Sequence, residues 1–226
     1  RLRVYPLENP LVVPEDDTAR EMTEGLRYLE KFIELCKQEG ITPVITYIPY
    51  RQSNEAEEQR YSNAAMRLAE SLGADTVDLQ HMDLIDDDTD WYDDGGHVNP
   101  LGAGKITAYL GQYLKERYDL PDHSGEELWA QDYESYYDFQ KENLLENEDL
   151  WSMLSVLSVE DFTAAVEIAP DYRMDPVTRK LLDSLGDRLR EDTLEDSGRL
   201  RLTAYGKDGT QIVTRTYKAH TEPVRE

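Results

Sequence analysis

Cysteine is nearly missing from this chain: Cys36 is the one thiol in 226 residues, which excludes an internal disulfide and any cysteine-cluster metal site. Basic residues are scarce as well. Lys and Arg total 24 against 48 Asp and Glu, a formal charge of −24. Such a chain repels phosphate backbones and anionic headgroups, which excludes nucleic-acid binding by counterion release and adhesion to anionic lipid. Long hydrophobic runs are absent too. No stretch approaches the ~18 uninterrupted apolar residues of a membrane helix. Phenylalanine occurs three times, but fifteen Tyr and three Trp supply large apolar faces, and 39% of residues are apolar. With a mean hydropathy of −0.71 the composition is polar but still globular. The length allows one large domain or two small ones. The chain opens Arg1-Leu2-Arg3-Val4 without an initiator Met, a hydrophobic leader core or a cleavage pattern. Either a leader has been removed or the segment belongs to a longer polypeptide.

Residues 18–39 are predicted as a helix, with Met22, Leu26, Leu29, Ile33 and Cys36 on one stripe, Thr18 as cap and Gly40 as stop. Ile41 to Ile48 is a β-rich run, apolar on both faces, as a buried parallel strand would be. A second helix is predicted over 53–72, with Tyr61, Ala65, Leu68 and Leu72 inward, then a short strand over 75–79. An acidic loop, His81 to His97, precedes a third helix from Pro100 to Tyr118, with Asn99 as cap and Ala103, Ile106, Leu110, Tyr113 and Leu114 toward the core. This alternation is that of a doubly wound parallel sheet. Two strands cannot complete such a sheet, so further strands are expected, upstream or in a partner. A helix over 126–141 carries Trp129, Tyr133, Tyr136, Tyr137 and Phe139, an aromatic side that reads as core or as a surface for stacking sugar rings. From 144 the pattern changes: a short helix at 150–157, a strand at 162–169, a helix capped by Asp175, and a hairpin pairing 200–205 with 211–217. The division read here is 1–143, part of an α/β domain, and 144–226, a small α+β region.

The segment Asp90-Trp91-Tyr92-Asp93-Asp94-Gly95-Gly96-His97-Val98-Asn99-Pro100 follows a strand and precedes a helix, the edge at which α/β folds place their sites. Two glycines between Asp94 and His97 let the loop fold back and set the carboxylate on Nδ1–H of the imidazole. That contact would fix the tautomer, raise the ring's basicity and leave Nε2 free to deprotonate a hydroxyl. The same spacing also suits an acidic turn whose histidine merely caps the next helix.

The run Tyr92 to Thr107, followed by Tyr109-Leu110-Gly111 and Leu120-Pro121-Asp122-His123, resembles the last block of the SGNH (GDSL-type) hydrolases. It is most similar to their bacterial cell-surface branch, which reads Asp-x-x-His-Leu-Asn, Gly-Ala and a helix ending in Leu-Pro-Asp. Leu35 to Val44 and the Leu-Leu-Asp-Ser-Leu-Gly of 181–186 resemble that branch too, so the likeness spans most of 19–186. The resemblance implies a flavodoxin-like three-layer α/β fold and an esterase or O-acyltransferase acting on acyl groups of cell-envelope glycans, outside the cytoplasm. It implies His97 as general base, Asp94 as its orienter, and Asn99 as helix cap and support behind the pair. Its substrate would be an acylated carbohydrate or another small ester, with no cofactor and no metal. The family's Gly-x-Ser nucleophile and oxyanion-hole blocks have no counterpart in these residues; Ser124, before Gly125, stands after the third helix, where the family carries none. The chain alone is therefore expected to be inactive. A non-catalytic carbohydrate-binding or assembly module of the same fold is the alternative.

Other candidates are weaker. From Asp86 the acidic run starts like a calcium loop, but Trp91 stands where Gly is needed and His97 where Glu is needed, leaving a solvated acidic loop as the reading. Gly102-Ala103-Gly104-Lys105 lacks the first glycine and the Ser/Thr of a phosphate loop. Cys36 reads as core, His81 and His123 have no ligand-spaced partners, and His123 reads as a helix terminator and His220 as part of a polar tail.

Overall fold

A computed structural model describes residues 3–7, 11–50, 56–94, 96–159 and 161–219. The chain is mixed α/β and divides into two units. The smaller comprises the described residues of 7–87 and 94–97, the larger those of 1–6, 88–93 and 98–226. The units are thus interleaved in sequence, whereas the change of pattern at 144 suggested a single cut.

In the smaller unit, α1 (Glu24–Gln38) and α2 (Ala56–Ser71) pack on two parallel strands, β1 (Val44–Tyr47) and β2 (Asp75–Asp78), paired from Val44↔Asp75 to Tyr47↔Asp78. Ile33, Ala69 and Ala74 form the centre, with Leu29, Ile45 and Leu72 against them. Helix α1 begins at Thr23, whose Oγ1 accepts from the Leu26 N–H at 3.3 Å, and not at Thr18. The cause lies in α2. Its Asn63 donates to the carbonyls of Pro14 and Asp17, while the Ala19 N–H donates to the Arg60 carbonyl, which holds 14–19 out of helix. Gln59 adds a two-way clamp, accepting from the Val13 N–H and donating to the Leu11 carbonyl, both at 2.7 Å. Buried amides satisfying an irregular segment displace the expected apolar stripe. Gln59, Asn63, Met66 and Ala69 are the buried residues of α2, while Tyr61, Ala65 and Leu68 are only half-buried. Positions 53–55 of the expected helix lie outside the described residues. Cys36 is buried, as the stripe of α1 requires.

The larger unit is built around α5 (Leu150–Leu157), every residue of which is buried. Asp149 caps it by accepting from the Ser152 N–H at 2.9 Å. Over it lies a four-stranded sheet in the order β4-β3-β5-β6: β3 (Thr163–Ile168), β4 (Leu189–Thr193), β5 (Arg199–Tyr205) and β6 (Gln211–Lys218). β5 and β6 are the expected hairpin, turning at Gly209, whose φ of +77° is the left-handed conformation glycine tolerates. β4 runs parallel to β3 and is an unanticipated strand; Leu-Arg-Glu-Asp-Thr is an exposed edge, so it carries no apolar alternation. Helix α6 (Pro176–Asp183) is capped by Asp175 on the Thr178 N–H at 2.7 Å.

Helices α3 (Pro100–Arg117) and α4 (Glu127–Glu146) complete this unit. In α3 the buried residues are Leu101, Gly102 and Ile106; Ala103 is exposed, and Leu110, Tyr113 and Leu114 are half-buried. The aromatic side of α4 is not core. Tyr137 alone among its aromatics is buried, stacked on Phe162 with ring centroids 5.0 Å apart, while Trp129, Tyr133, Tyr136 and Phe139 are all exposed. Tyr137 has a backbone partner, the Lys207 N–H at 3.1 Å, which favours its inward position.

Candidate functional site

Within the smaller unit, Asp94 and His97 meet as the spacing suggests. His97 Nδ1 lies 2.6 Å from Asp94 Oδ2, and Asp94 Oδ1 accepts from the N–H groups of Gly96 and His97, each at 3.0 Å. One carboxylate therefore fixes both the backbone turn and the ring above it. Partial burial pushes the Asp94 carboxyl up, but the backbone and ring N–H of His97 and the N–H of Gly96 outweigh it and hold the group below its ordinary value. An ionised carboxylate can only accept, so the shared proton sits on Nδ1, and in the neutral ring the lone pair is then on Nε2. The His97 side chain is 70% exposed, and among the described residues Nε2 has no protein hydrogen-bond partner. The arrangement can take a proton from an incoming hydroxyl and return it.

Sequence reasoning missed a third member. The Tyr50 ring, just past the end of β1, stands edge-on to the imidazole with centroids 5.8 Å apart and planes at 82°. A Cβ on Gly96 would lie 2.6 Å from Tyr50 Cε2, so Gly96 is small because Tyr50 occupies its side-chain space. Gly95 lies outside the described residues. Gly96→Ala is expected to displace Tyr50 or open the turn, weakening the His97 Nδ1–H bond; the downfield Nδ1–H proton resonance should broaden or vanish. Adding Tyr50→Ala should bring it back, and an unchanged resonance in the single variant would refute the close-packing account.

In the larger unit, Trp91 and Val98 pair across an isolated bridge, and residues 3–5 join the other side of Trp91 and its neighbours: Val4 pairs with Tyr92, and the Tyr5 N–H reaches the Trp91 carbonyl at 3.0 Å. Asn99 caps α3 as expected, accepting from the Gly102 N–H at 3.2 Å, and donates to the carbonyls of Thr89 and Trp91. These are structural bonds at the base of the loop; ring support for His97 comes from Asp94 and Tyr50. Asp90, read in the sequence as part of a solvated acidic loop, is instead fully buried, with Lys105 Nζ at 2.6 Å and Thr89 Oγ1 at 2.8 Å. Gly102 lets this pair form: a Cβ there would lie 2.8 Å from the Asp90 carbonyl oxygen. The glycine-lysine run thus serves packing and ion pairing.

His81 does have a partner, at the same spacing as the first pair. Its Nδ1 lies 2.8 Å from Asp78 Oδ2 and its Nε2 2.8 Å from the Val13 carbonyl oxygen. Both partners accept, so the two contacts together favour the imidazolium, the form that donates from both nitrogens and has no lone pair to offer. Burial alone would lower its pKa, but the Val13 carbonyl, then Asp78 and Glu15, raise it above 6.5. A raised folded-state value stabilises the fold below the unfolded value, and that contribution is lost as pH climbs through the folded one. The urea midpoint should therefore fall as pH climbs above about 6.5, and His81→Gln should flatten that slope. An equal slope in both proteins would remove His81 as its source. His123 pairs with Glu126, and His220 lies outside the described residues.

No family model, no curated protein and no solved structure matches this chain.

Proposed function

We propose that these residues form the imidazole-bearing part of an SGNH-like ester hydrolase or O-acyltransferase with a flavodoxin-like sheet. The observation that carries the reading is the Asp94–His97 pair at 2.6 Å with Nε2 directed to solvent. A hydroxyl nucleophile would lose its proton to Nε2 as its oxygen attacks an ester carbonyl, and Asp94 would stabilise the imidazolium so formed. The imidazolium then gives that proton to the leaving alkoxide as the carbon–oxygen bond breaks, leaving an acyl-enzyme. Water, or a sugar hydroxyl in a transferase, would then lose its proton to Nε2 as it attacks the acyl carbon, and the imidazolium would return that proton to the nucleophile's oxygen as the acyl bond to it breaks. The nucleophile and oxyanion donors are assigned to residues outside this sequence. Acylated glycans of the cell envelope, outside the cytoplasm, are the substrate class the resemblance suggests.

A binding module without hydrolysis is the second reading, favoured by the exposed aromatic row of Trp129, Tyr133 and Tyr136 on α4. Turnover of p-nitrophenyl acetate separates the two. The polypeptide encoded by the complete gene should release p-nitrophenol with a burst, and residues 1–226 alone should not. A complete polypeptide without turnover that still retains acylated glycan on a column would establish the binding module instead.

A further inference from the structure

Helix α4 is 20 residues long, and the larger unit buries only its second half. One face carries Trp129, Tyr133, Tyr137, Gln140 and Leu144 at spacings of 4, 4, 3 and 4, a single stripe down the helix. Tyr137, Gln140 and Leu144 are the buried residues of α4. Trp129 and Tyr133 continue the same stripe, with Tyr136 beside them, yet are 55%, 47% and 48% exposed. Every residue from 119 to 136 is exposed. The stripe that packs on the core thus runs on past the core for ten residues, Glu127 to Tyr136, about 15 Å of helix. A segment of that length is marginal as a helix in water without something to pack on.

We infer that the first half of α4 docks an amphipathic helix of a partner protein, one whose apolar stripe is bordered by Lys and Arg. Charge selects the partner. Between Tyr118 and Gln140 the chain has seven Asp and Glu and no Lys or Arg. By helical spacing Asp132 and Glu134 border the aromatic stripe on its two sides, and Glu126 stands at its N-terminal end. Lys207, from the turn between β5 and β6, already makes one contact of the required kind. Its Nζ lies 2.5 Å from Glu134 Oε1, 5.4 Å from the centre of the Tyr133 ring and 4.5 Å from that of Tyr137. A cation at the border of the stripe thus meets a carboxylate and two ring faces together. A second copy fits poorly, because each would set its seven carboxylates against the other's. A sugar platform asks for rings in one plane, whereas Trp129 and Tyr133 wind with the helix in step with Tyr137 and Leu144, as a helix-packing seam does. Nothing in this docking depends on ester chemistry.

Trp129 reports on the site, because the other two tryptophans, Trp91 and Trp151, are buried. The probe is a synthetic Leu/Lys peptide of about 14 residues with leucines at i, i+3, i+4 and i+7, beside a scrambled peptide of the same composition. Titrated into residues 1–226 at physiological salt, the amphipathic peptide should bind at least about tenfold more tightly than the scrambled one and shield Trp129 from acrylamide. Trp129→Glu should weaken that binding about tenfold or more, although it adds a charge that attracts lysine. Its urea midpoint should match the parent's, since the side chain is exposed. Equal affinity for the two peptides overturns the inference, as does unchanged affinity in Trp129→Glu. Shielding of Trp129 by chitohexaose and not by the peptide overturns it in favour of a glycan surface. Shielding that grows with protein concentration alone overturns it in favour of a second copy.

Discussion

Replacing His97 with alanine in the polypeptide that carries the nucleophile is expected to lower kcat for p-nitrophenyl acetate by about 10³-fold, with KM nearly unchanged. On the proposed reading the imidazole would move protons in the transition state and contribute little to holding the ground-state ester. Asp94→Asn should cost nearly as much, for a different reason. A carboxamide presents an N–H as well as a carbonyl, so Nδ1 loses its compulsory acceptor and the tautomer with a lone pair on Nε2 is no longer enforced. The Gly96 and His97 backbone bonds to Oδ1 can survive the change, because an amide oxygen still accepts. Asp94→Asn should thus be folded and nearly inactive, whereas Asp94→Ala should also loosen the turn. Equal turnover by His97→Ala and its parent would sink the general-base assignment. Retained activity in Asp94→Asn alone would leave His97 in place but remove its orienter.

The second large effect concerns stability. The guanidinium of Arg188 caps the end of α5: Nη1 donates to the carbonyls of Leu157 and Val159 at 3.0 and 2.6 Å, and Nη2 to that of Ser158 at 3.0 Å. Those carbonyls close a helix buried along its whole length, where water cannot easily replace a lost donor. Arg188→Met keeps most of the stem and removes every donor, so it should cost about 2–4 kcal/mol in urea unfolding. Arg190→Met is the control. Its side chain is 79% exposed and reaches Asp192 only at 3.7 Å, so it should fall within about 0.5 kcal/mol of the parent. Equal effects of the two changes would mean that the carbonyls find other partners.

Local signals were the legible ones. Asn99 and Asp175 each stand where a cap is needed and each accepts from the N–H three residues on, because a cap is decided within one turn of chain. The Asp94–His97 contact is of the same kind, since glycine and a three-residue spacing leave few other outcomes. What escaped notice depends on distant partners. Gln59 and Asn63 look like surface residues until the segment 11–17 is laid across them. Tyr50 is 47 positions from His97, and nothing near either residue announces the other. The exposed aromatics of α4 show the converse error, a helix face that resembles core and is not. Most instructive is the pair of identical spacings. Asp78-x-x-His81 and Asp94-x-x-His97 share a motif, yet Val13 occupies the second nitrogen in one and solvent meets it in the other.

Val4 belongs to the same buried cluster as Leu200, Leu202 and Ala204, although nearly two hundred positions separate them. The residues of 7–87 form their own unit inside that span. On the ribosome, then, the inner unit has nearly all its own contacts available once its second strand emerges, whereas the outer one must hold its first strand segment in waiting until the final hairpin arrives. A stall in translation before residue 199 would leave a finished insert flanked by an unfinished host, with Val4 still lacking the hairpin residues that share its cluster, the species that chaperones would have to guard.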